Sequence, residues 1–281
     1  MTISLGFLVS TAQAQTPDNV VARGVADADI AYAQVALANG MPTASLRYFA
    51  VDGVAFAPRA VNGKKYWAAH EKDFKGDLIW SPVFATAAHA GDLACTTGPW
   101  ELKRDGQSVA FGNYVTVWSK ESAGDWKVVL DVGTENPQPT NPPASLQLMP
   151  PDATAGERLL EDVRRRLLKR ERAFLAASRK DAGAAALASA DDEIRVFREN
   201  ALPAVGLAAA RLLLGTEHLN LRHEYGGGKM SSSGDLSYSY GNYSVERGNT
   251  TERGIYLDLW RLNLNGDWQL ILDLQKKIAD S

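Results

Sequence analysis

The sequence has few of the residues on which several common functions depend. It contains one cysteine, Cys95, and four histidines among 281 residues. A lone cysteine cannot form an intrachain disulfide and is more typical of a small core residue. His218 and His223 are five residues apart, which puts them on the same face of neither a helix nor a strand. We therefore predict no metal site.

Strong net charge, long apolar runs and familiar catalytic motifs are missing as well. Against 33 Asp and Glu there are 30 Lys and Arg, and the net charge of −3 argues against a nucleic-acid partner. No apolar segment is long enough to span a membrane as a helix. The sequence has no Gly-x-Ser-x-Gly elbow, no His-Glu-x-x-His and no dinucleotide-binding fingerprint, so we predict no cofactor. The remaining composition is typical of a globular protein.

The N-terminus resembles part of a signal peptide. A short apolar run, Ile3–Val9, is followed by Ala12-Gln13-Ala14, which fits the small-x-small pattern that signal peptidase cleaves. No Lys or Arg precedes Arg23, so the usual basic segment is missing. We predict that residues 1–21 are a signal-like or flexible N-terminus and that the protein is periplasmic or secreted. The alternative is a cytoplasmic protein with an ordinary flexible tail.

A proline-rich segment divides the chain. Residues 134–155 contain six of the twelve prolines, which excludes a helix or a central strand there. We predict an extended, semi-rigid linker over residues 135–155. It separates a first domain, residues 22–134, from a second domain, residues 156–281.

The two domains repeat each other. Three segments of the first domain recur in the same order in the second, at a nearly constant offset of 142 or 143 residues. They are Gly91-Asp92-Leu93 with Gly234-Asp235-Leu236, Tyr114–Trp118 with Tyr256–Trp260, and Gly124–Asp131 with Gly266–Asp273. Chance similarity would not hold register over such a length, so we interpret the chain as a tandem duplication.

Each domain begins with helices and continues with strands. Apolar spacing and alanine content predict one long helix and two shorter helices in each domain. The predicted helices are 25–38, 43–49 and 64–72, and then 156–178, 182–190 and 205–214. β-Branched and aromatic residues predict strands that include 111–118 and 126–132. Helices followed by antiparallel strands define an α+β fold. Gly226-Gly227-Gly228 is interpreted as a flexible hairpin insertion.

Several motifs of the first domain resemble one family. They are Asp29-x-x-Tyr32 on the first helix, Tyr48–Val54, Trp80-Ser81-Pro82, Gly91-Asp92-Leu93, Gly112-x-Tyr114 and the strand that ends at Asp131. The domain is similar over its whole length to the SnoaL-like branch of the nuclear-transport-factor-2-like superfamily, specifically its family-4440 domain of unknown function. The second domain resembles a divergent copy that lacks the Trp-x-Pro motif.

The resemblance implies two tandem cone-shaped domains, each a curved antiparallel sheet wrapped around a long N-terminal helix with two shorter helices. Superfamily members often dimerise through their sheets, so the domains are expected to pair as an intramolecular pseudo-dimer, with a homodimer as the alternative. The superfamily includes ketosteroid isomerase, polyketide cyclases, dehydratases and non-catalytic modules. The resemblance therefore implies no particular reaction.

Acid–base chemistry in such a cone needs a carboxylate in an apolar pocket and a donor for a developing oxyanion. The candidate catalytic residues are Asp29, Tyr32 and Asp131. The candidate ligand-binding residues are Asp52 and three flat apolar walls, Trp80, Trp100 and Trp118. Strict alternation along the last strand places Asp131 away from the most apolar face.

The carboxylates also have a structural interpretation. Asp29 and Asp131 recur as Glu171 and Asp273 in the second domain, which favours a shared role in the scaffold. Tyr32 is replaced there by phenylalanine, which favours a use for its hydroxyl in the first domain.

Three functions stay open. The first is an exported protein that binds a small apolar or amphipathic molecule in the first cone, with a mainly structural second domain. The second is an isomerase, cyclase or dehydratase that uses a pocket carboxylate as general base. The third is a protein–protein assembly module without a small ligand, which predicts no enclosed cavity and a large exposed apolar sheet face.

Overall fold

The computed structural model describes residues 17–121, 124–151, 159–216, 218–248 and 250–278. The apolar run and the cleavage pattern of the N-terminus lie outside these residues. Among the residues described, no helix is long and apolar enough to cross a membrane.

Two units follow each other, and each places helices before most of its strands. The first unit consists of α1 (Pro17–Asn39), α2 (Met41–Tyr48), β1 (Phe49–Phe56), β2 (Ala60–Asn62), α3 (Gly63–Ala69), β3 (Asp77–Trp80), β4 (Phe84–Ala87), β5 (Leu93–Arg104), β6 (Gln107–Lys120), β7 (Trp126–Glu135) and β8 (Gln147–Met149). The second consists of α4 (Leu160–Ser178), α5 (Ala182–Ser189), β9 (Ala190–Arg198), β10 (Ala204–Val205), α6 (Leu207–Leu214), β11 (Leu221–Met230), β12 (Leu236–Arg247), β13 (Thr250–Leu262) and β14 (Trp268–Lys277). The predicted α+β class with two tandem units is confirmed.

Each unit has its own sheet, with equivalent topology. The first sheet has the order β2-β1-β7-β6-β5-β4-β8, with β3 also paired to β5, and the second has the order β10-β9-β14-β13-β12-β11. In both, the first long strand pairs in parallel with the last long strand of the unit, and the long strands after it are antiparallel. The same topology in both units is what a tandem duplication of one fold requires.

Helix α1 positions the interior residues of the first unit. It begins at Pro17, where a missing N–H is tolerated in the first turn, and it ends before Gly40, whose φ of 86° favours glycine. Its apolar side packs beside β3, β4 and β5, and Asp29 and Tyr32 lie on this buried side. The helix therefore carries two of the candidate residues into the interior.

The two sheets share one hydrophobic cluster. Buried residues of the first sheet, such as Val115 and Leu130, belong to the same cluster as Leu257 and Leu272 of the second. Cys95 is also buried there. The apolar sheet faces of the two units therefore cover each other.

Equivalent turns link the units reciprocally. The carboxylate of Asp92 accepts a hydrogen bond from the backbone N–H of Ser232 at 3.0 Å, and that of Asp235 accepts one from the N–H of His89 at 2.9 Å. Asp92 and Asp235 are equivalent residues of the repeat, so the contact is self-complementary, as in a two-fold symmetric dimer. The Gly-Asp segments thus join the units in addition to forming turns.

Two segments differ from the sequence prediction. Within the predicted linker, residues 147–149 form β8, an edge strand paired in parallel with β4. These residues lie between prolines and include Leu148, which packs into the core of the first unit, so they are part of the sheet. Gly226-Gly227-Gly228 lies inside β11, and a side chain at Gly227 would meet the ring of Tyr240. The absence of side chains there lets the ring lie against the strand.

Candidate functional site

A cavity of about 280 Å³ lies in the first unit. Its aromatic lining is Tyr32, Phe56, Trp67, Phe74, Trp80, Trp100 and Tyr114, and its aliphatic lining is Met41, Leu78 and Leu102. The polar lining is Thr116, Asp131, Glu135 and Lys276, and the last of these belongs to the second unit. The cavity is thus mostly apolar, with few polar groups, as small-molecule sites usually are.

Asp131 faces this cavity, contrary to the strict alternation expected for its strand. Trp118 pairs with Val128 and Val117 pairs with Leu130, so Val129 is an extra residue that shifts the register of β7. Such a bulge moves every later side chain to the opposite face. Val128, before the bulge, packs in the interior core, and Asp131, after it, lines the cavity of the same interior. The prediction that Asp131 lies off the apolar face was therefore wrong.

Among the residues that the structure describes, one side chain, that of Thr116, donates a hydrogen bond to the carboxyl group of Asp131, and the surroundings are mostly apolar. Thr116 Oγ1 donates to its Oδ1 at 2.6 Å. The pKa of Asp131 is raised to about 6. Burial is the largest cause, the hydrogen bond from Thr116 lowers the pKa, and the charge of Asp29 contributes to the rise. Near neutral pH this group can therefore accept or hold a proton, which is the property a general base needs.

Asp29 lies behind the cavity wall and is fully buried. Trp80 Nε1 donates to one carboxylate oxygen at 2.8 Å, and the Tyr114 hydroxyl donates to the other at 2.6 Å. Burial raises the pKa of Asp29, and hydrogen bonds from Tyr114, Trp80 and Thr96 oppose the rise. Asp29 therefore orients two aromatic walls instead of contacting a ligand.

Tyr32 lines the cavity, but its hydroxyl has a partner in the protein. The hydroxyl lies 2.8 Å from Ser45 Oγ, and burial raises the pKa of Tyr32 well above its usual value. Its ring stacks on Tyr48 at a centroid distance of 4.8 Å and meets the edge of Trp80 at 5.0 Å. The geometry thus gives Tyr32 a wall and packing role.

The remaining predicted residues divide into two groups. Trp80 and Trp100 line the cavity and are paired across β3 and β5. Trp118 does not line it, because the side chain is fully buried and its Nε1 donates to Thr96 Oγ1 at 2.8 Å. Asp52 also lies outside it, on an exposed stretch of β1 beside a register shift. The expectation that Trp118 and Asp52 face a ligand is therefore corrected.

Most of the residues that line the cavity were not among the predicted site residues, which included only Tyr32, Trp80, Trp100 and Asp131 of the lining. Tyr114 and Thr116 alternate along β6 on the face that also carries Trp118, so a period of two was a usable signal. Gly133 and Glu135 follow Asp131 on the same face of β7, but the bulge hides them from a sequence pattern. Gly133 has no side chain, which leaves room in the cavity beside Trp100.

In the second unit the equivalent space is filled. Arg198 donates to both carboxylate oxygens of Asp273, at 2.8 and 3.2 Å, and both residues are buried. Gln275, buried, stands in register where the first unit has Gly133. The interior cavity beside Glu171 and Phe174 is only about 30 Å³. A cleft of about 410 Å³ between α4 and the strands β11 and β12 adjoins this cavity and shares Glu171, Leu175, Tyr225 and Ser239 with it. Another cleft, of about 560 Å³, lies beside α4 and the turn that contains Asp267.

The filled interior of the second unit is strongly acidic. Glu171 and Asp258 lie near Asp273, and burial together with the charges of Asp273 and Glu171 raises the pKa of Asp258 well above its usual value. Arg198 opposes this rise. His223 replaces Trp80 in the register of the repeat, and burial lowers its pKa to about 4. These polar groups lie where the first unit has an open apolar space, and among them Arg198 pairs with Asp273.

Within the described part of the chain, no group of three or more His, Cys, Asp and Glu is arranged to hold a metal ion. No family model and no curated protein sequence matches the chain.

Several solved structures match parts of the chain. An NTF2-like protein with a cystatin-like fold from Novosphingobium aromaticivorans is 18% identical, covers 43% of this chain and 86% of its own, and has a TM-score of 0.34. A ketosteroid isomerase-like protein from Erwinia carotovora atroseptica is 19% identical, with coverages of 43% and 95% and a TM-score of 0.33. An NTF2-like protein of unknown function from Shewanella oneidensis is 18% identical, with coverages of 42% and 99% and a TM-score of 0.31. Each of these matches covers less than half of this chain and most of the matched chain.

Proposed function

We propose that the protein binds a small, mostly apolar molecule in the cavity of the first unit and that the second unit is mainly structural. The observation that carries this proposal is the difference between the two copies of one fold. The first keeps about 280 Å³ open around Asp131, whereas the second fills the equivalent space with Arg198 and Gln275 and keeps about 30 Å³. This difference supports a single binding site, in the first unit.

The second unit supports the first through their paired sheets, as an intramolecular pseudo-dimer. The shared hydrophobic cluster and the reciprocal bonds of Asp92 and Asp235 support this arrangement. The same contacts count against an assembly module, because each unit covers the apolar sheet face that such a module would expose.

Native mass spectrometry of the protein from its own host tests the binding proposal. We expect the wild-type chain to retain a small-molecule adduct that denaturation removes, and Gly133→Gln to lose it. The substitution introduces the second unit's residue into the cavity, where the new Cβ would lie 3.3 Å from Trp100 Nε1. Gly24→Gln is the matched control, because Gly24 is exposed and has nothing within 4 Å.

Equal retention of the adduct by wild type and Gly133→Gln would contradict binding in this cavity.

Export to the periplasm or medium is part of the same proposal and rests on Ala12-Gln13-Ala14. The intact mass then corresponds to a chain that begins at Gln15.

A second candidate function, proton transfer by Asp131, is favoured by its position in the cavity with a pKa near 6. Folding raises the pKa of Asp131, so the folded protein binds a proton more tightly there than the unfolded chain does. The resulting stability is fully present below the pKa of the unfolded chain, near 4, and it is lost as the pH rises through the folded pKa of about 6. At pH 8 the free energy of unfolding of Asp131→Asn should therefore be roughly 1–3 kcal/mol larger than that of the wild type, and at pH 4 the two should differ little.

Urea unfolding at both pH values measures this difference, and turnover of the retained molecule is assayed in parallel. A general base predicts a folded, more stable variant without turnover. A variant that unfolds would instead assign Asp131 a structural role.

A further inference from the structure

The two units differ in the partner of one buried carboxylate, which is Asp131 in the first unit and Asp273 in the second. Ala55 is the β1 neighbour of Asp131, and Val196 is the β9 neighbour of Asp273. Two residues further along the chain stand Arg198, inside β9, and Ala57, the residue that follows the end of β1. The second unit thus supplies a guanidinium to its carboxylate, and the equivalent position of the first unit carries a methyl group.

A buried carboxylate without a cation is costly, and proteins usually compensate it with a paired positive charge. Asp273 receives two hydrogen bonds from Arg198. Asp131 receives one from Thr116, at 2.6 Å, and opens on the cavity. The side of Asp131 that faces the cavity is therefore the place where a positive charge from a ligand would be stabilised.

The other charged groups around the cavity also favour a positively charged ligand. The titratable groups that interact with Asp131 are Asp29, Tyr32 and Tyr114, and Glu135 and Lys276 line the same cavity. Lys276 donates to the carbonyl oxygen of Gly133 at 2.6 Å and lies 4.0 Å from Glu199. In the lining, the carboxylates of Asp131 and Glu135 outnumber the one ammonium group of Lys276. The charge that the cavity presents to a ligand is thus negative.

The walls suit the same kind of ligand. Trp67, Phe74, Trp80 and Trp100 surround the open space. Aromatic rings attract organic cations through their electron-rich faces, and the attraction is larger in a site shielded from water. An apolar body would pack against these rings while its charged group lies beside Asp131.

We propose that the cavity of the first unit binds small organic cations, with a protonated amine paired to Asp131 and an apolar body against the aromatic walls. This proposal rests on the proposed binding function and names its ligand class. The charged amine of the ligand would pair with Asp131 as the guanidinium of Arg198 pairs with Asp273 in the second unit.

Three probes of similar size and different charge test it: 2-phenylethylamine, 2-phenylethanol and phenylacetate, titrated by calorimetry at pH 7.5. We expect the amine to bind at least about tenfold more tightly than the alcohol, and phenylacetate to bind most weakly. Asp131→Asn should weaken the amine about tenfold or more and change the alcohol less than about twofold. Asp52→Asn, which removes a carboxylate outside the cavity, should change neither.

The pH gives an independent readout. Because Asp131 becomes protonated below about pH 6, lowering the pH to 5 should weaken the amine about tenfold and leave the alcohol unchanged. The inference alone is overturned if the alcohol or phenylacetate binds as tightly as the amine, or if Asp131→Asn affects all three alike. Failure of all three probes to bind the wild-type protein would overturn both the inference and the binding function.

Discussion

Replacing Arg198 with methionine is expected to lower the free energy of unfolding by about 3–5 kcal/mol. The variant leaves the carboxylate of Asp273 buried without the guanidinium that now contacts both of its oxygens. Glu171 and Asp258 lie close by, so the loss of one cation leaves several acidic groups in a region shielded from water. Removing one partner of a buried pair is among the most destabilising single changes.

The loss should depend on pH in a defined direction. Folding already raises the pKa of Asp258, and Arg198 opposes that rise, so the variant raises it further. A raised carboxyl pKa contributes stability at low pH that is lost as the pH rises through the folded value. Urea unfolding should therefore show the largest deficit at pH 8 and a smaller one at pH 5.

Two further variants complete the experiment. Arg222→Met removes an exposed arginine at the start of β11 and should change stability by less than about 0.5 kcal/mol. Combining Arg198→Met with Asp273→Asn removes both charges and should recover much of the loss. A deficit for Arg198→Met no larger than that of Arg222→Met would show that the pair does not hold the second unit together.

Replacing Asp29 with alanine is expected to cost about 3 kcal/mol or more and to lower the melting temperature on the order of 10 °C. The substitution leaves the Trp80 indole N–H and the Tyr114 hydroxyl without their acceptor in a buried place. Each unsatisfied buried donor costs about 1–3 kcal/mol. Because both rings line the cavity, binding of the retained molecule should fall together with stability.

Asp27→Ala provides the matched control for this prediction. Asp27 is exposed on the same helix, so the substitution has the same helix propensity change without the buried hydrogen bonds. Thermal melting of both variants, followed by circular dichroism, makes the comparison. Melting of Asp29→Ala within about 2 °C of Asp27→Ala would contradict the role given to Asp29.

The repeat and the order of the elements were readable from the sequence. Helix propensity, the glycine at the end of α1 and the alternation in β6 depend on neighbouring residues, so local patterns predicted them. The Gly-Asp motifs fixed the register of the duplication. Asp29 was identified as a key residue, although only the structure gives it the role of orienting Trp80 and Tyr114.

The bulge at Val129 illustrates what local patterns miss. One extra residue in β7 turns Asp131 toward the cavity, and the signal for it lies in the pairing with β6, not in β7 itself. Asp52 and Trp118 were misjudged for a related reason, since exposure and burial depend on elements distant in the sequence.

By itself, the sequence determined a tandem α+β protein, its helix and strand order and three of the aromatic residues that surround the candidate site, Tyr32, Trp80 and Trp100. Only the tertiary structure decided which copy keeps an open cavity. That outcome depends on whether an arginine such as Arg198 pairs with the buried carboxylate, and on whether Gly133 or Gln275 faces the interior. Such differences look like ordinary surface or strand substitutions until the strands are paired, because the space they fill or leave open is formed by several elements at once.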